Sequence, residues 1–304
     1  MNLGINLCFA VKRMPDPEAW AAFVRDDLGL GSVQLTFDLL DPWWSEPERG
    51  RVISRIRQAA ERQDLSIHSA CVGLAHYVPA GLLDPDPDAR TMARTWWLRA
   101  IDVAAELGTR AVGGPLGSMS ADDATHPGHA RARYEDLVES VAVLCQRAHH
   151  AGLGHFLIEP TPIVREIPST IAQCTQLIAD LDAAGAANAA YTLDIGHTVY
   201  EPLYGPDATV QEWITGLGRH IALVHLDNTD RHGDPHWGWP DPRGCVDVTE
   251  VGRHLADAGL AEVPVMLEVF PRFEDDDETV RNLIVSSVTH CRQALATAAT
   301  APGA

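Results

Sequence analysis

Short runs of β-forming residues alternate along the whole chain with longer segments of helical spacing. The eight runs are LGINLCF (3–9), SVQLTFD (32–38), LSIHSACV (65–72), RAVGGPL (110–116), HFLIEPT (155–161), YTLDIGH (191–197), IALVHLD (221–227) and VPVMLEVF (263–270). Between them, segments such as 89–108 and 169–185 carry apolar residues at helical spacing, with Gly108 as a helix end and Ser169 as a helix cap. Eight such pairs in 304 residues predict an α/β protein, a single-domain (β/α)8 TIM barrel over residues 1–295 with a flexible tail at 296–304.

The residues after the first strand argue against the other common α/β architecture. An open, doubly wound sheet normally carries a Gly-rich turn at this point, where it binds a phosphate. Here the chain continues as CFAVKRMPDPE, residues 8–18. We therefore expect the barrel and keep the doubly wound sheet as the structural alternative.

The charge balance excludes two classes of partner. Asp and Glu total 42 against 23 Lys and Arg, a net charge of −19. Nucleic acid and anionic membrane surfaces would be repelled, so neither is expected as a partner. The chain has no apolar run near the roughly 18 residues of a membrane span, and its first residues do not resemble a signal peptide. Six scattered cysteines without a C-x-x-C pair fit a reducing compartment, so we expect a cytoplasmic protein.

Four consecutive strands end in residues that bind metal ions. Glu159 ends the fifth strand, Asp194 the sixth, His225 the seventh and Glu268 the eighth. In a barrel these ends meet at one face, where unpaired carboxylates would repel one another and lose hydration. A divalent cation removes both costs. Three carboxylates and one imidazole suit Mn²⁺, with Mg²⁺ or Co²⁺ as alternatives, whereas no cysteine is placed for a structural zinc site.

This pattern resembles the signature of the xylose isomerase-like TIM barrel superfamily of sugar phosphate isomerases and epimerases, and within it the ketose 3-epimerase branch. The resemblance is carried by Glu159, Asp194-x-x-His197, His225 and Glu268. It implies that the first Glu, the Asp, the second His and the last Glu bind one divalent ion. It also implies that His197 and Arg231, six residues after the metal-binding His, contact the oxygens of a small sugar or sugar phosphate.

The reaction implied by the resemblance is proton abstraction next to a carbonyl. The metal ion would stabilise an enediolate as a Lewis acid. Glu159 and Glu268 would act as acid and base on opposite faces of the ketose, so that the carbon is inverted. Protonation at the adjacent carbon would instead give aldose–ketose isomerisation, and both outcomes stay open. A homo-oligomer, dimer or tetramer, is compatible with the family.

Other residues complete the predicted site. The branch usually has a glutamate six residues after the first metal Glu, but Arg165 stands there, with Glu166 next. An arginine suits a phosphate or carboxylate on the substrate; alternatively it pairs with a nearby acid. His68, His236 and Trp237 are further candidates for contact with the substrate.

Several other functions share this pattern. Inosose dehydratase, hydroxypyruvate isomerase and C-glycoside-cleaving enzymes belong to the same superfamily, as do endonuclease IV-like zinc nucleases. A nuclease site would use His68 and Asp234-x-His236, but it needs a fourth-strand histidine where Gly113 and Gly114 stand. A non-catalytic sugar-binding barrel is disfavoured because all four metal ligands are present.

Overall fold

The chain folds as the predicted (β/α)8 barrel. In the computed structural model, which describes residues 1–300 and the side chains of residues 1–298, eight parallel strands are hydrogen-bonded in the order β1 to β8 and close on themselves. The strands are β1 Leu3–Asn6, β2 Ser32–Thr36, β3 Ser66–Cys71, β4 Ala111–Gly114, β5 His155–Ile158, β6 Ala189–Asp194, β7 Ile221–Leu226 and β8 Val265–Leu267. All are shorter than the apolar runs that predicted them, because those runs continue into the loops at the carboxyl ends.

Helices follow or connect the strands, and several ends have clear sequence causes. They are α1 Pro17–Ala22, α2 Glu48–Arg62, α3 Leu74–Tyr77, α4 Pro87–Leu107, α5 Ala121–Thr125, α6 Pro127–His150, α7 Ile171–Ala183, α8 Ile195–Thr198, α9 Glu201–Tyr204, α10 Val210–Leu217, α11 Val248–Asp257 and α12 Asp277–Thr300. Helix α4 ends as predicted at Gly108, whose φ of 76° is left-handed. The predicted cap of α7 was one residue off, since Thr170 rather than Ser169 accepts the hydrogen bond from the Gln173 amide.

The contacts group the chain into two compact halves. The first half comprises residues 1–35, 58–66 and 193–304, and the second comprises 36–57 and 67–192. In the first half, β1 pairs with β2 so that Ile5 faces Val33 and Asn6 faces Gln34. Strand β1 also pairs with β8, which in turn pairs with β7. Residues far apart in the sequence therefore meet at adjacent strand ends.

The second half has an aromatic core. Trp96 and Trp97 of α4 are buried and contact each other edge to face, with ring centroids 5.1 Å apart. Phe37 packs on Trp96 and Phe156 on Trp97 in the same T-shaped manner. The space next to Gly113 on β4 is filled, because a Cβ on this residue would lie 1.9 Å from the Leu157 carbonyl oxygen. Side chains other than hydrogen are therefore excluded at this position.

The last helix extends into the segment expected to be a flexible tail. Helix α12 continues to Thr300, so residues 296–300 of the expected tail are helical, and 301–304 lie outside the described residues. Within residues 1–300, every helix is too short or too polar to cross a bilayer.

Candidate metal centre and active site

Three of the four predicted metal ligands stand side by side in the first half. Asp194 ends β6, His225 is the next-to-last residue of β7, and Glu268 directly follows β8. All three are buried. His225 Nδ1 lies 2.8 Å from Glu268 Oε2 and 3.9 Å from Asp194 Oδ2. These separations are close enough for the three atoms to bind one ion.

The fourth predicted ligand lies in the second half of the chain. Glu159 directly follows β5 and is buried. Its part in the metal centre stays a prediction.

The charge state of this group suits a divalent cation. Burial alone would raise the pKa of Glu268, but the neighbouring His225 outweighs it and holds that pKa well below its usual range. The pKa of Asp194 is likewise lowered, since His197 and His236 outweigh the effect of burial. Ionised carboxylates therefore converge in a buried place, and an oxygen-dominated donor set of this kind fits Mn²⁺ or Mg²⁺.

Two residues that the sequence analysis missed support these ligands. Asn6 Nδ2 donates to Glu268 Oε1 at 2.6 Å and to Gln34 Oε1 at 2.9 Å. Gln34 Oε1 lies 2.7 Å from His225 Nε2. The signal in the sequence is a polar residue inside each of two otherwise apolar strands, at positions that face each other only once the register is known.

A second cluster of charges adjoins the ligands. Asp234 bridges two imidazoles, with Oδ2 3.2 Å from His197 Nε2 and Oδ1 3.1 Å from His236 Nδ1. His236 Nε2 in turn lies 3.3 Å from Glu268 Oε2 and 3.5 Å from Asp194 Oδ2. Burial alone would lower the pKa of His236, but Asp234 and the hydrogen-bonded carboxylates raise it well above its usual range. The structure thus brings the predicted His197 and His236 to the metal ligands.

Asp227 is a further acid that the sequence analysis missed. It follows β7 and is fully buried, and its Oδ1 accepts a hydrogen bond from the Gly196 amide at 2.7 Å. A Cβ on Gly196 would lie 2.1 Å from Asp227 Oδ2, so the position requires glycine. Burial, followed by the charge of Asp194, raises the pKa of Asp227 well above its usual range.

The two predicted arginines differ in placement. Arg231 has a left-handed backbone with φ 73°, and its Nη2 donates to the carbonyls of Pro206 at 2.8 Å and Ala208 at 3.0 Å. Arg165 is exposed, and its Nη1 donates to the Met119 carbonyl at 2.6 Å. The alternative interpretation expected Arg165 to pair with a nearby acid such as Glu166. The Arg165 side chain is instead held by a backbone carbonyl.

Glu166 is the buried member of that pair. Its Oε2 accepts from Thr161 Oγ1 at 2.6 Å and its Oε1 from the Tyr77 hydroxyl at 3.2 Å. Arg165, six residues after the first predicted metal Glu, is thus exposed while the neighbouring Glu166 is buried, and contact of Arg165 with a substrate stays a prediction. The sequence has no signal for this, since a shift of one residue in a loop reverses which side chain faces inward.

His68 is the third residue of β3, three residues before its last residue, Cys71. Burial, followed by the charges of Arg110 and His155, lowers the pKa of His68. Its contact with a substrate stays a prediction.

The two tryptophans in the loop after β7 contact other side chains of the protein. Trp237 is half-buried, and the guanidinium of Arg243 lies 3.8 Å from the centre of its ring. Trp239 is buried, donates to the Val246 carbonyl and stacks on His290. The role of Trp237 toward a substrate therefore stays a prediction.

Comparisons with known proteins fit this geometry. Residues 23–284 match the model of the family described as Xylose isomerase-like TIM barrel. The chain belongs to this family. The chain is also similar to D-erythrulose 1-phosphate 3-epimerase of Brucella abortus, with 25% identity over 297 residues, which cover 95% of this chain and 94% of that protein.

Solved structures of xylose isomerase-like barrels superpose closely. A putative xylose isomerase from Rhodospirillum rubrum is 35% identical, with a TM-score of 0.92 over 96% of this chain and 99% of that one. D-psicose 3-epimerase from Clostridium cellulolyticum, solved with D-tagatose, shares the fold with a TM-score of 0.75, 19% identity and coverage of 97% and 99%. The prediction of an enzyme that isomerises or epimerises sugars agrees with the names of these relatives.

Proposed function

We propose that this protein is a divalent-metal-dependent epimerase of a ketose or ketose phosphate. The observation that carries the proposal is the convergence of the buried Asp194, His225 and Glu268, with His225 Nδ1 2.8 Å from Glu268 Oε2 and 3.9 Å from Asp194 Oδ2. Glu159, buried at the end of β5, is proposed as the fourth ligand. The relative that acts on D-erythrulose 1-phosphate supports a short ketose, phosphorylated or free. We propose Mn²⁺ as the ion, with Mg²⁺ and Co²⁺ as alternatives.

The proposed chemistry divides between the ion and the side chains. Bound by the four residues, a divalent cation supplies Lewis-acid polarisation of the ketose carbonyl. Glu268 and Glu159 remove and return a proton at the carbon next to that carbonyl, from opposite faces. Removal and return of the C3 proton from opposite faces gives the 3-epimer, whereas removal of a C1 proton and its return to C2 would give the aldose instead.

The surroundings of Glu268 suit this role. Asn6 holds Oε1 at 2.6 Å, while His225 and His236 lie 2.8 Å and 3.3 Å from Oε2. Three contacts on two oxygens leave the carboxylate little freedom to rotate, so the oxygen that takes the proton keeps its orientation. His197 and Arg231 are proposed to contact substrate hydroxyls, with His236 and Trp237 beside them.

A zinc nuclease is the competing proposal within the superfamily. The Asp234–His236 pair and His197 provide part of the extra ligand set that such a site needs. Strand β4 provides none, because Gly113 has no room for a side chain. We therefore favour the epimerase with one metal ion per chain.

Solvent deuterium uptake tests the proposal directly. The purified protein is stripped with a chelator, reloaded with Mn²⁺ and incubated in D₂O with tetruloses, pentuloses and hexuloses, free and phosphorylated. We expect uptake at one carbon next to the carbonyl of at least one ketose, together with its 3-epimer, by NMR. Glu268→Gln and Glu159→Gln should lose uptake, whereas Glu250→Gln, on the surface of α11, should retain it.

Two results would contradict the proposal. One is no uptake from any ketose by protein that carries one metal ion per chain. The other is a stoichiometry near three zinc ions per chain in purified protein, which would favour the nuclease.

A further inference from the structure

Four buried side chains form a closed ring of contacts around one edge of the metal centre. The ring consists of Asn6, Gln34, His225 and Glu268, each no more than 6% exposed. Its four links are Glu268 Oε1 to Asn6 Nδ2 at 2.6 Å, Asn6 Nδ2 to Gln34 Oε1 at 2.9 Å, Gln34 Oε1 to His225 Nε2 at 2.7 Å, and His225 Nδ1 to Glu268 Oε2 at 2.8 Å. Two members are proposed metal ligands and two are not.

The direction of each hydrogen bond follows from the backbone. The Cys8 amide N–H donates to Asn6 Oδ1 at 2.9 Å, which fixes the orientation of the Asn6 amide. Asn6 Nδ2 therefore faces Gln34 and Glu268 as a donor. Gln34 must then present its oxygen, since only an acceptor can face the Asn6 donor.

The same logic fixes the proton on His225. Because Gln34 presents an oxygen, the His225 Nε2 that faces it at 2.7 Å carries the proton. In the neutral imidazole the lone pair is then on Nδ1, the atom that lies 2.8 Å from Glu268 Oε2 and 3.9 Å from Asp194 Oδ2. A backbone amide thus sets, through two side chains, which nitrogen of His225 can bind a cation.

We infer that Gln34 is a positioning residue that fixes the tautomer of His225 for metal binding, with Asn6 holding Gln34 and Glu268 in place. The inference rests on the proposed metal centre and adds two residues from β1 and β2 to it. Asn6 and Gln34 bind no metal themselves.

Packing alone does not account for these two amides. Asn6 and Gln34 face each other in the register of β1 and β2, next to the apolar pair Ile5 and Val33. Burying an amide costs free energy that hydrogen bonds only offset, and an apolar pair of similar shape can be equally stable. Their side chains instead reach the ligands on β7 and β8, which an apolar pair cannot do.

Two substitutions of Gln34 by side chains of nearly equal size test the role of its acceptor oxygen. Gln34→Met removes the oxygen that faces His225 Nε2, whereas Gln34→Glu keeps one there. Loss of a group that orients a metal ligand typically costs about 10–100-fold in affinity. We therefore expect Gln34→Met to weaken Mn²⁺ binding by about 10–100-fold in calorimetry and to change the visible spectrum of bound Co²⁺. Gln34→Glu should restore affinity close to that of the unmodified protein.

Val33→Ala is the matched control for lost stability. It shortens the fully buried neighbour of Gln34 on the same strand without touching the ring. It should lower the unfolding temperature and leave Mn²⁺ affinity unchanged. Equal affinity of Gln34→Met and the unmodified protein would overturn the inference, as would equally weak binding by Gln34→Met and Gln34→Glu.

The protonated nitrogen of His225 can also be measured in the unmodified protein, which tests the inference without any variant. Long-range ¹H–¹⁵N correlation spectra of the histidine rings, recorded with diamagnetic Mg²⁺ bound, report which nitrogen carries the proton. We expect the Nε2–H tautomer for His225, and an Nδ1–H tautomer would overturn the inference. None of these readouts uses a substrate, so failure to find a ketose would count against the proposed function and leave this inference standing.

Discussion

Two groups of histidines and carboxylates in this protein have similar composition and opposite surroundings. The exposed cluster consists of Asp122, His126 and His129 on α5, α6 and their junction, and its ligand atoms also lie within 4.8 Å of one another. Its side chains are 57% to 75% exposed. In the buried group, the Asp194, His225 and Glu268 side chains are at most 8% exposed.

The difference shows that burial, rather than residue type, distinguishes the proposed metal centre from the exposed cluster. Water and salt screen the charges of the exposed cluster, so its carboxylate and imidazoles are stable without a cation. In the buried group each carboxylate has lost its hydration, and the loss must be balanced by partners or by an ion. In the buried group, the buried side chains of Asn6 and Gln34 contact Glu268 and His225.

Neutralising one carboxylate in each group should give the largest contrast. Asp194→Asn keeps an oxygen that can accept from the His197 amide, as the aspartate does at 2.9 Å, but removes a buried negative charge. We expect its Mn²⁺ dissociation constant to rise by more than about 100-fold, beyond the cost of losing a group that only orients a ligand. Asp122→Asn should bind Mn²⁺ like the unmodified protein. Calorimetric titration of both variants measures the contrast, and similar losses in the two would remove the distinction between the groups.

Metal removal should lower stability only through the buried group. At a Mn²⁺ concentration about 100 times the dissociation constant, binding stabilises the folded state by about 2.7 kcal/mol. We expect the free energy of unfolding in urea to fall by about this amount when a chelator is added. His126→Ala should show the same difference, and Asp194→Asn little or none at that concentration. A difference that disappears in His126→Ala would assign the stabilising ion to the exposed cluster.

Two glycines provide a comparison of packing. A Cβ on Gly196 would meet buried Asp227 Oδ2 at 2.1 Å, whereas a Cβ on Gly128, between His126 and His129, would meet nothing within 4 Å. We expect Gly196→Ala to destabilise the protein by roughly 1–3 kcal/mol, as overpacking does in cores. Gly128→Ala should stabilise helix α6 by up to about 1 kcal/mol. Urea unfolding curves measure both changes; an unchanged midpoint in Gly196→Ala would mean that Asp227 can move aside.

The smallest effect is expected for His129→Ala in the exposed cluster. His129 Nδ1 lies 3.3 Å from Asp123 Oδ1 and 3.9 Å from Asp122 Oδ2, with a side chain 57% exposed. Exposed ion pairs contribute little, so the free energy of unfolding should change by less than about 0.5 kcal/mol. A loss above about 1 kcal/mol in urea unfolding would show that the cluster is part of the framework.

The sequence predicted the barrel because the fold depends on the order of strands and helices along the chain. Parallel strands in sequence order bring their carboxyl ends to one face. Asp194, His225 and Glu268 follow apolar runs and lie together in the structure. Their choice as candidate ligands needed no knowledge of loop conformation, only that the runs were strands.

The remaining residues depend on features that sequence order does not determine. The sequence does not show that Glu166 is buried and Arg165 exposed, because a loop that turns by one residue reverses which side chain faces inward. Asn6 and Gln34 interrupt apolar strands as ordinary polar residues. Their role is visible only once the register of β1 and β2 is known, because that register pairs two residues that are 28 positions apart in the sequence.

The ring around Glu268 joins parts of the chain that a ribosome makes at very different times. Asn6 and Glu268 are 262 residues apart, and Gln34 and His225 are 191 apart. Until Glu268 has been added and has left the exit tunnel, the first two strands lack the carboxylate that closes the ring. The growing chain must therefore keep two polar amides on β1 and β2 without their final partners for most of its synthesis. The proposed metal centre can therefore be completed only late in the synthesis of the chain.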